Sequence, residues 1–92
     1  MENEQERLES LRSKLNEIHS WPSVYMFKFV LENDSTKMNA LRAVFSESAE
    51  FKTRESSKGK YISLTVRMMM LDADSIFDHY RRASEIGGIL SL

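Results

Sequence analysis

A short turn in the second half of the chain, Ser-Ser-Lys-Gly-Lys at residues 56–60, runs directly into a segment that alternates apolar and polar residues. In residues 62–66 the three aliphatic side chains point one way in an extended backbone, and the Ser and Thr side chains point the other way. A turn of this composition between two extended segments predicts a β-hairpin, in which Gly59 supplies the positive φ. The sequence therefore specifies a hairpin together with its register.

The first third of the chain predicts a helix followed by a strand. The helix is indicated by apolar residues at spacings of three and four, with Glu and Arg between them: Leu8, Leu11, Leu15 and Ile18. Trp21–Pro22 ends this helix, because proline cannot continue it and disfavours the helical conformation of the preceding residue. Val24–Leu31 is rich in β-branched and aromatic residues and predicts a strand. Lys28 marks the less buried face of that strand.

The remaining segments alternate between helix and strand. Asn33–Ser35 has the composition of a turn and helix cap, and Asp72 or Asp74 caps a later helix. Phe51 and Thr53 alternate with charged residues in a second strand, and Gly87–Gly88 ends the last helix. We expect the buried helical residues to be Met38, Leu41, Val44 and Phe45 in one helix and Ile76, Phe77, Tyr80 and Ala83 in the other, and Ile89–Leu92 to form a fourth strand.

The resulting order is an N-terminal helix and then β-α-β-β-α-β. This order predicts an α+β, ferredoxin-like two-layer sandwich, with a four-stranded antiparallel sheet and two helices on one of its faces. We expect a single domain over residues 1–92, with an amphipathic helix at 1–20 and the ferredoxin-like core at 22–92. The other sheet face is left open. The N-terminal helix must bury its stripe on that face or on another subunit, and the short link at 20–23 favours its own domain.

Composition narrows the classes of function. The net charge is -1, so no global field attracts nucleic acid or an anionic membrane. The chain has no cysteine, which excludes disulfides and thiolate sites and favours a reducing, cytoplasmic location. Glutamates at positions 2, 4 and 6 stand where a secretory signal needs basic and apolar residues, and no segment approaches the length of a membrane span. We expect no membrane association.

Motifs that would indicate an enzyme are missing. The spacing of a phosphate-binding P-loop is absent, and no serine stands in a strand-turn-helix elbow. His19 and His79 are the only imidazoles, and neither has ligands nearby at metal-binding spacing. We interpret His79 as a solvated surface residue and His19 as a residue at a helix end. The sequence predicts no catalytic residue, no metal and no cofactor.

Positive charge is concentrated around the hairpin, and ten residues there and on the first strand are candidates for binding a ligand or a partner. They are Lys28, Lys52, Arg54, Ser56, Ser57, Lys58, Gly59, Lys60, Tyr61 and Arg67. Backbone amides and lysines of the turn suit a phosphate or carboxylate. The alternative is a solvated hairpin whose serines satisfy the turn.

The chain resembles the YbeD-like family of small bacterial proteins. The resemblance rests on Lys-Leu-Asn-Glu at 14–17, Trp21–Pro22, Lys28 within an apolar strand, and the hairpin Ser56–Gly59 followed by Tyr-x-Ser-x-Thr at 61–65. It implies a ferredoxin-like fold close to that of the amino-acid-binding regulatory domains called ACT domains, and it implies no established activity. The chain departs from the pattern in its acidic segment 1–13 and in having no glycine after the first strand.

These observations predict a non-enzymatic, ACT-like regulatory or adaptor domain that acts through a protein partner or a small anionic ligand. The alternative is an RNA-binding module that uses the basic open sheet face. For that alternative only Tyr61 is well placed to stack on a base, since Phe27 and Phe29 fall on the core side by parity. A homodimer through the open face or the N-terminal helix is a further alternative.

Overall fold

The computed structural model describes residues 3–92 and has the predicted ferredoxin-like α+β fold preceded by a helix. Its elements are α1 (Glu4–Ile18), β1 (Ser23–Glu32), α2 (Ser35–Arg42), β2 (Glu50–Glu55), β3 (Tyr61–Met70), α3 (Ala73–Ser84) and β4 (Ile89–Ser91). The strands form one sheet in the order β2-β3-β1-β4, and every neighbouring pair is antiparallel. The predicted fold class is therefore confirmed.

The central pair of strands fixes which side chains meet. β1 and β3 pair along their whole length, from Ser23 opposite Met70 to Glu32 opposite Tyr61. Because side chains alternate, one register decides both faces of the sheet. On the helical face, the fully buried residues of the two strands include Phe27, Phe29, Leu31, Leu64, Val66 and Met70.

The helices α2 and α3 cover this face and complete the core. Leu41 of α2 and Ile76 and Ala83 of α3 are 0% exposed. Complete burial of one such aliphatic or aromatic side chain stabilises the fold by about 1.5–3 kcal/mol. The hydrophobic stripe of each helix thus accounts for why both helices lie on the same side of the sheet.

Side-chain caps begin both of these helices. The Asp34 carboxylate accepts hydrogen bonds from the amides of Thr36 and Lys37, and Asp72 accepts one from Ser75. Asp72 is therefore the cap of α3, and the backbone hydrogen bond lowers its pKa. The helix α2 is shorter than the apolar pattern indicated, because Val44 and Phe45 reach the core from the turn that follows Arg42.

A cluster of rings joins β1 to α3. The Phe27 ring lies 5.1 Å from the Tyr80 ring, and the hydroxyl groups of Tyr25 and Tyr80 are 3.1 Å apart. His79 is half-buried and stacks on Phe45 at 5.2 Å, and its Nδ1 lies 2.6 Å from the Ser75 carbonyl oxygen. The prediction of a solvated His79 is therefore wrong, because its position on α3 turns the ring toward the aromatic core.

The helix α1 lies beside α3 on the helical side of the sheet. Its Leu15 packs against the core, and the Arg12 guanidinium forms an ion pair of 2.7 Å with Asp74. His19 caps its C-terminus, as predicted, and the Trp21 indole donates a hydrogen bond to Asn16. The expectation that α1 folds over the open sheet face is wrong, because α1 packs beside α3 on the opposite face. The chain passes through Trp21 on its way from α1 into β1. Ile18 stays 75% exposed.

No helix within residues 3–92 combines the length and the apolar character needed to cross a lipid bilayer.

The two faces of β1 are expected to differ sharply in their contribution to stability. Phe27→Ala leaves a cavity in the core and lowers the free energy of unfolding by about 3–5 kcal/mol. Met26→Ala, at the neighbouring position on the open face, changes it by about 0.5 kcal/mol or less. Urea unfolding of the two variants measures both values. Equal losses would contradict the assignment of faces, and Phe27→Leu serves if Phe27→Ala does not fold.

Tyr80 is expected to make the fold sensitive to high pH. Burial, and then the hydrogen bond with Tyr25, raises the pKa of Tyr80 well above its usual value of 10.0. The neutral phenol is therefore favoured in the folded state, and its contribution to stability is present below about pH 10 and declines as the pH rises further. Urea unfolding between pH 8 and 11 should show a shallower decline for Tyr80→Phe than for the natural chain. An identical decline would contradict this.

Candidate functional site

The sheet face opposite the helices is open and carries most of the candidate residues. Lys28, Lys52, Arg54 and Arg67 are exposed on this face, and Tyr61 is 44% exposed at one end of it. We call it the open face. The other five candidates, Ser56, Ser57, Lys58, Gly59 and Lys60, lie together in the hairpin turn next to Tyr61. The structure thus brings the predicted residues into two adjacent groups.

A cationic band crosses the middle of the open face. Lys52 of β2 and Lys28 of β1 lie opposite the same residue, Thr65 of β3, so their Cα atoms are about 10 Å apart. Arg54 follows Lys52 on the same side of β2, about 7 Å away. Within residues 3–92, Lys28, Lys52 and Arg54 have no carboxylate within the 4.0 Å of an ion pair. We call these three residues the cationic band.

Arg67 differs from the cationic band because it has a partner. It lies opposite Glu50 of β2, and the two charged groups are 3.9 Å apart. Both side chains are more than half exposed, so this ion pair contributes little to stability. Arg67 therefore contributes less net positive charge to the open face than the three residues of the cationic band.

Exposed or half-buried apolar side chains flank the cationic band at both ends. At one end lie Val24, Met26 and Met69, and Met26 is 59% exposed. At the other end Val30 lies opposite Leu90 of β4, and Leu92 lies beside Lys28 through a backbone hydrogen bond. Along β1 the open face consequently has the order apolar, cationic, apolar, and the strand ends at the exposed carboxylate of Glu32. Leu90 and Leu92 were not among the predicted residues, although the core-facing Ile89 before them indicates their direction by parity.

The hairpin turn is held largely by its own hydrogen bonds. The amides of Ser56 and Gly59 donate to the carbonyl oxygens of Tyr61 and Ser56, and the Tyr61 amide donates to the Ser56 hydroxyl. Asn33 joins the turn to the end of β1, donating from its side chain to the Gly59 carbonyl oxygen at 2.9 Å and to Glu55 at 3.1 Å. The predicted positive φ of Gly59 is confirmed at 72°.

These bonds limit what the turn can offer to an anion. Two of its amides, and that of the adjacent Tyr61, are donated within the hairpin, and the Glu55 carboxylate lies close to Gly59. The Lys60 ammonium lies over the Tyr61 ring, 5.5 Å from its centre. Anion binding by Ser56, Ser57, Lys58 and Lys60 stays a prediction, and so does any binding role of the open face.

Two shallow depressions lie at opposite ends of β3, and each has a volume of about 240 Å³. The one beside the hairpin turn combines candidate residues with an acidic one, and its lining is Val30, Arg54, Glu55, Ser56, Tyr61, Ile62 and Ser63. The other is lined by Val24, Ser48, Glu50, Arg67, Met68 and Met69. Both depressions carry apolar and charged side chains.

Within the described residues no group of three or more histidine, aspartate or glutamate side chains is placed to hold a metal ion. His19 Nδ1 lies 3.0 Å from the Ser23 hydroxyl, and its ring packs against Trp21 and Tyr25. The two histidines therefore take part in packing on the helical side of the sheet.

Comparison with known proteins places the chain in a family. A model of the family described as "Protein of unknown function (DUF493)" matches residues 16–91. The chain belongs to the DUF493 family. The match begins inside α1 and includes the whole sheet and both crossover helices, so the open face lies within the family region except for Leu92.

Curated relatives of this DUF493 member support the same assignment. The UPF0250 proteins of Shewanella baltica strains OS155, OS185 and OS195 are each 31% identical to it, over 86% of this chain and 94% of theirs. The resemblance to a YbeD-like family of small bacterial proteins is confirmed by these matches, and none of the names states an enzymatic activity. No solved structure matches the chain significantly.

The geometry of the hairpin turn in this DUF493 member can be tested at Gly59. An added Cβ would meet only the Glu55 carboxylate, at 3.9 Å, so space is not the limit. The positive φ alone should make Gly59→Ala lower the free energy of unfolding by about 1–2 kcal/mol. Urea unfolding measures this, with Lys58→Ala as the control that stays within about 0.5 kcal/mol of the natural chain. A neutral Gly59→Ala would mean that the turn has another conformation.

Proposed function

We propose that this DUF493 member is a non-enzymatic regulatory or adaptor domain that binds another protein through its open face. The observation that carries the proposal is the order of exposed side chains on that face, in which the cationic band lies between two apolar groups. Protein interfaces combine apolar anchors with charges that orient the partner. The proposal places the domain in the cytoplasm, as the cysteine-free sequence predicts.

A protein partner is favoured over a small anionic ligand. A small anion requires several donors that converge on one point. The turn amides of Ser56, Gly59 and Tyr61 already donate within the hairpin, and Glu55 adds a negative charge beside them. The Cα atoms of Lys28 and Lys52 are about 10 Å apart, so two long, flexible side chains would have to converge to hold one phosphate or carboxylate, at a cost in side-chain entropy. Charges spaced in this way match several anionic groups on a larger partner.

A protein is also favoured over RNA. Recognition of single-stranded RNA by a sheet depends on aromatic side chains that stack on bases. The only aromatic residue of β1 and β3 on the open face is Tyr61, while Phe27 and Phe29 are 0% exposed on the opposite face. The exposed Met26 and Met69 provide adaptable apolar contacts, which are common at protein-binding surfaces.

The proposal is tested by affinity capture with quantified partners. The tagged chain, Met26→Glu on the open face and Arg82→Glu on α3 are expressed in a bacterium that encodes this family, and the captured proteins are measured by mass spectrometry. We expect one defined protein at a constant ratio, reduced about tenfold or more by Met26→Glu and retained by Arg82→Glu, since an unpaired charge in an apolar interface costs well over 1.4 kcal/mol.

Both variants change exposed positions and should unfold within a few degrees of the natural chain, with a small loss for Arg82→Glu because it puts a negative charge in the last turn of α3, and this controls for misfolding. A protein captured equally by all three chains would contradict the proposal. Capture that disappears after ribonuclease treatment, together with RNA affinity that falls steeply with salt, would establish the RNA-binding alternative instead.

A further inference from the structure

We infer that the partner of the open face is an acidic amphipathic helix with the pattern Leu-x-x-Glu-Glu-x-x-Leu, in which other aliphatic residues or aspartate can substitute. The inference rests on the proposed function and adds the chemistry and geometry of the partner. It follows from three features of the open face: its unpaired charge, the spacing of its apolar groups and its width.

The first feature is the sign of the charge. The Cα atoms of Lys52 and Arg54 are about 7 Å apart, those of Lys28 and Lys52 about 10 Å, and those of Lys28 and Arg54 about 12 Å, so only the first pair lies within the screening length of about 8 Å at physiological salt. The three charges repel one another weakly at these distances, and within residues 3–92 no carboxylate forms an ion pair with them. Carboxylates on a partner would remove this repulsion and form ion pairs at the same time.

The same charge disfavours a second copy of the chain as the occupant. In a two-fold symmetric dimer each surface meets its own copy. A dimer centred on the open face would place Lys28 and Lys52 against the same residues of the other subunit. Like charges opposed in an interface cost several kcal/mol. An acidic partner has no such cost.

The second feature is the spacing along β1. Met26, Lys28 and Val30 lie on the same side of this strand, so Met26 and Val30 are about 13 Å apart with the lysine between them. In an α-helix, residues i and i+7 are on one face and about 10 Å apart, with i+3 and i+4 between them. Two leucines at i and i+7 can reach the apolar groups around Met26 and Val30, and glutamates at i+3 and i+4 then face the cationic band.

The third feature is the width of the sheet. Four strands span about 14 Å from the first to the last backbone, and a helix with its side chains is about 10–12 Å in diameter. One helix lying along the strands therefore covers the central part of the open face, and Leu90 and Arg54 stand on either side of it.

The experiment uses synthetic peptides and the full chain. The probe is a labelled, alanine-rich peptide of about 18 residues, long enough to form a helix, with one central Leu-x-x-Glu-Glu-x-x-Leu segment. The first control peptide has Glu-x-x-Leu-Leu-x-x-Glu, with the same composition, charge and helical face. The second has Leu-x-x-Lys-Lys-x-x-Leu. Binding is measured by fluorescence anisotropy, and the contacted residues are mapped by amide chemical-shift changes.

We expect the probe to bind at least about tenfold more tightly than either control peptide, which is a difference of about 1.4 kcal/mol. Lys52→Glu should weaken the probe about tenfold or more, and Arg82→Glu on α3 should leave it unchanged. The shifted amides should be those of β1, β3 and β2 residues on the open face. Equal binding of the first control peptide, or shifts centred on α1 and α3, would overturn the inference.

The outcomes separate this inference from the proposed function. A defined partner that depends on Met26, combined with no preference for the acidic probe and no effect of Lys52→Glu, leaves the adaptor function in place and refutes the acidic helix. Binding of a short single-stranded RNA to the open face in place of the probe refutes both.

Discussion

The full-length antiparallel pairing of β1 with β3 is the constraint on which the rest of the structure depends. It brings Phe27 opposite Val66 and Phe29 opposite Leu64, and these four residues form the centre of the core. A shift of one residue in either strand would move the apolar side chains of that strand to the open face, away from the helices. The helices α2 and α3 pack where they do because this register gives them an apolar surface to cover.

The same pairing determines the character of the open face. Side chains of β1 alternate between the two faces, so a strand that builds the core also presents the exposed Met26 and Lys28 and the half-buried Val30 on the other side. The helix α1 does not cover them, because it lies on the other side of the sheet, where Leu15 packs against the core and Arg12 pairs with Asp74 of α3. The sheet face opposite α2 and α3 therefore carries no helix of the domain, and the cationic band stays exposed on it.

The sequence was sufficient for the elements, their order and the two faces, since each depends on local patterns such as the alternation in residues 61–70 and the caps at Asp34 and Asp72. It was insufficient for side chains whose position depends on contacts between residues far apart in the chain. The ion pair between Arg12 and Asp74 joins residues far apart in the chain, and no local pattern reveals it. The stacking of His79 on Phe45 depends in the same way on how α3 lies over the sheet.

The candidate site was partly predictable for the same reason. Parity alone places Lys28, Lys52, Arg54 and Arg67 on one face, but the pairing of Arg67 with Glu50 and the use of turn amides within the hairpin require the register and the hydrogen bonds. The alternation along β1 also has an evolutionary consequence. From Tyr25 to Leu31 the odd positions of β1 face the core and the even positions face away from it, so substitutions at Met26 and Lys28 can alter the chemistry of the surface almost without altering foldability. A small scaffold of this kind can diversify its open face while its architecture persists.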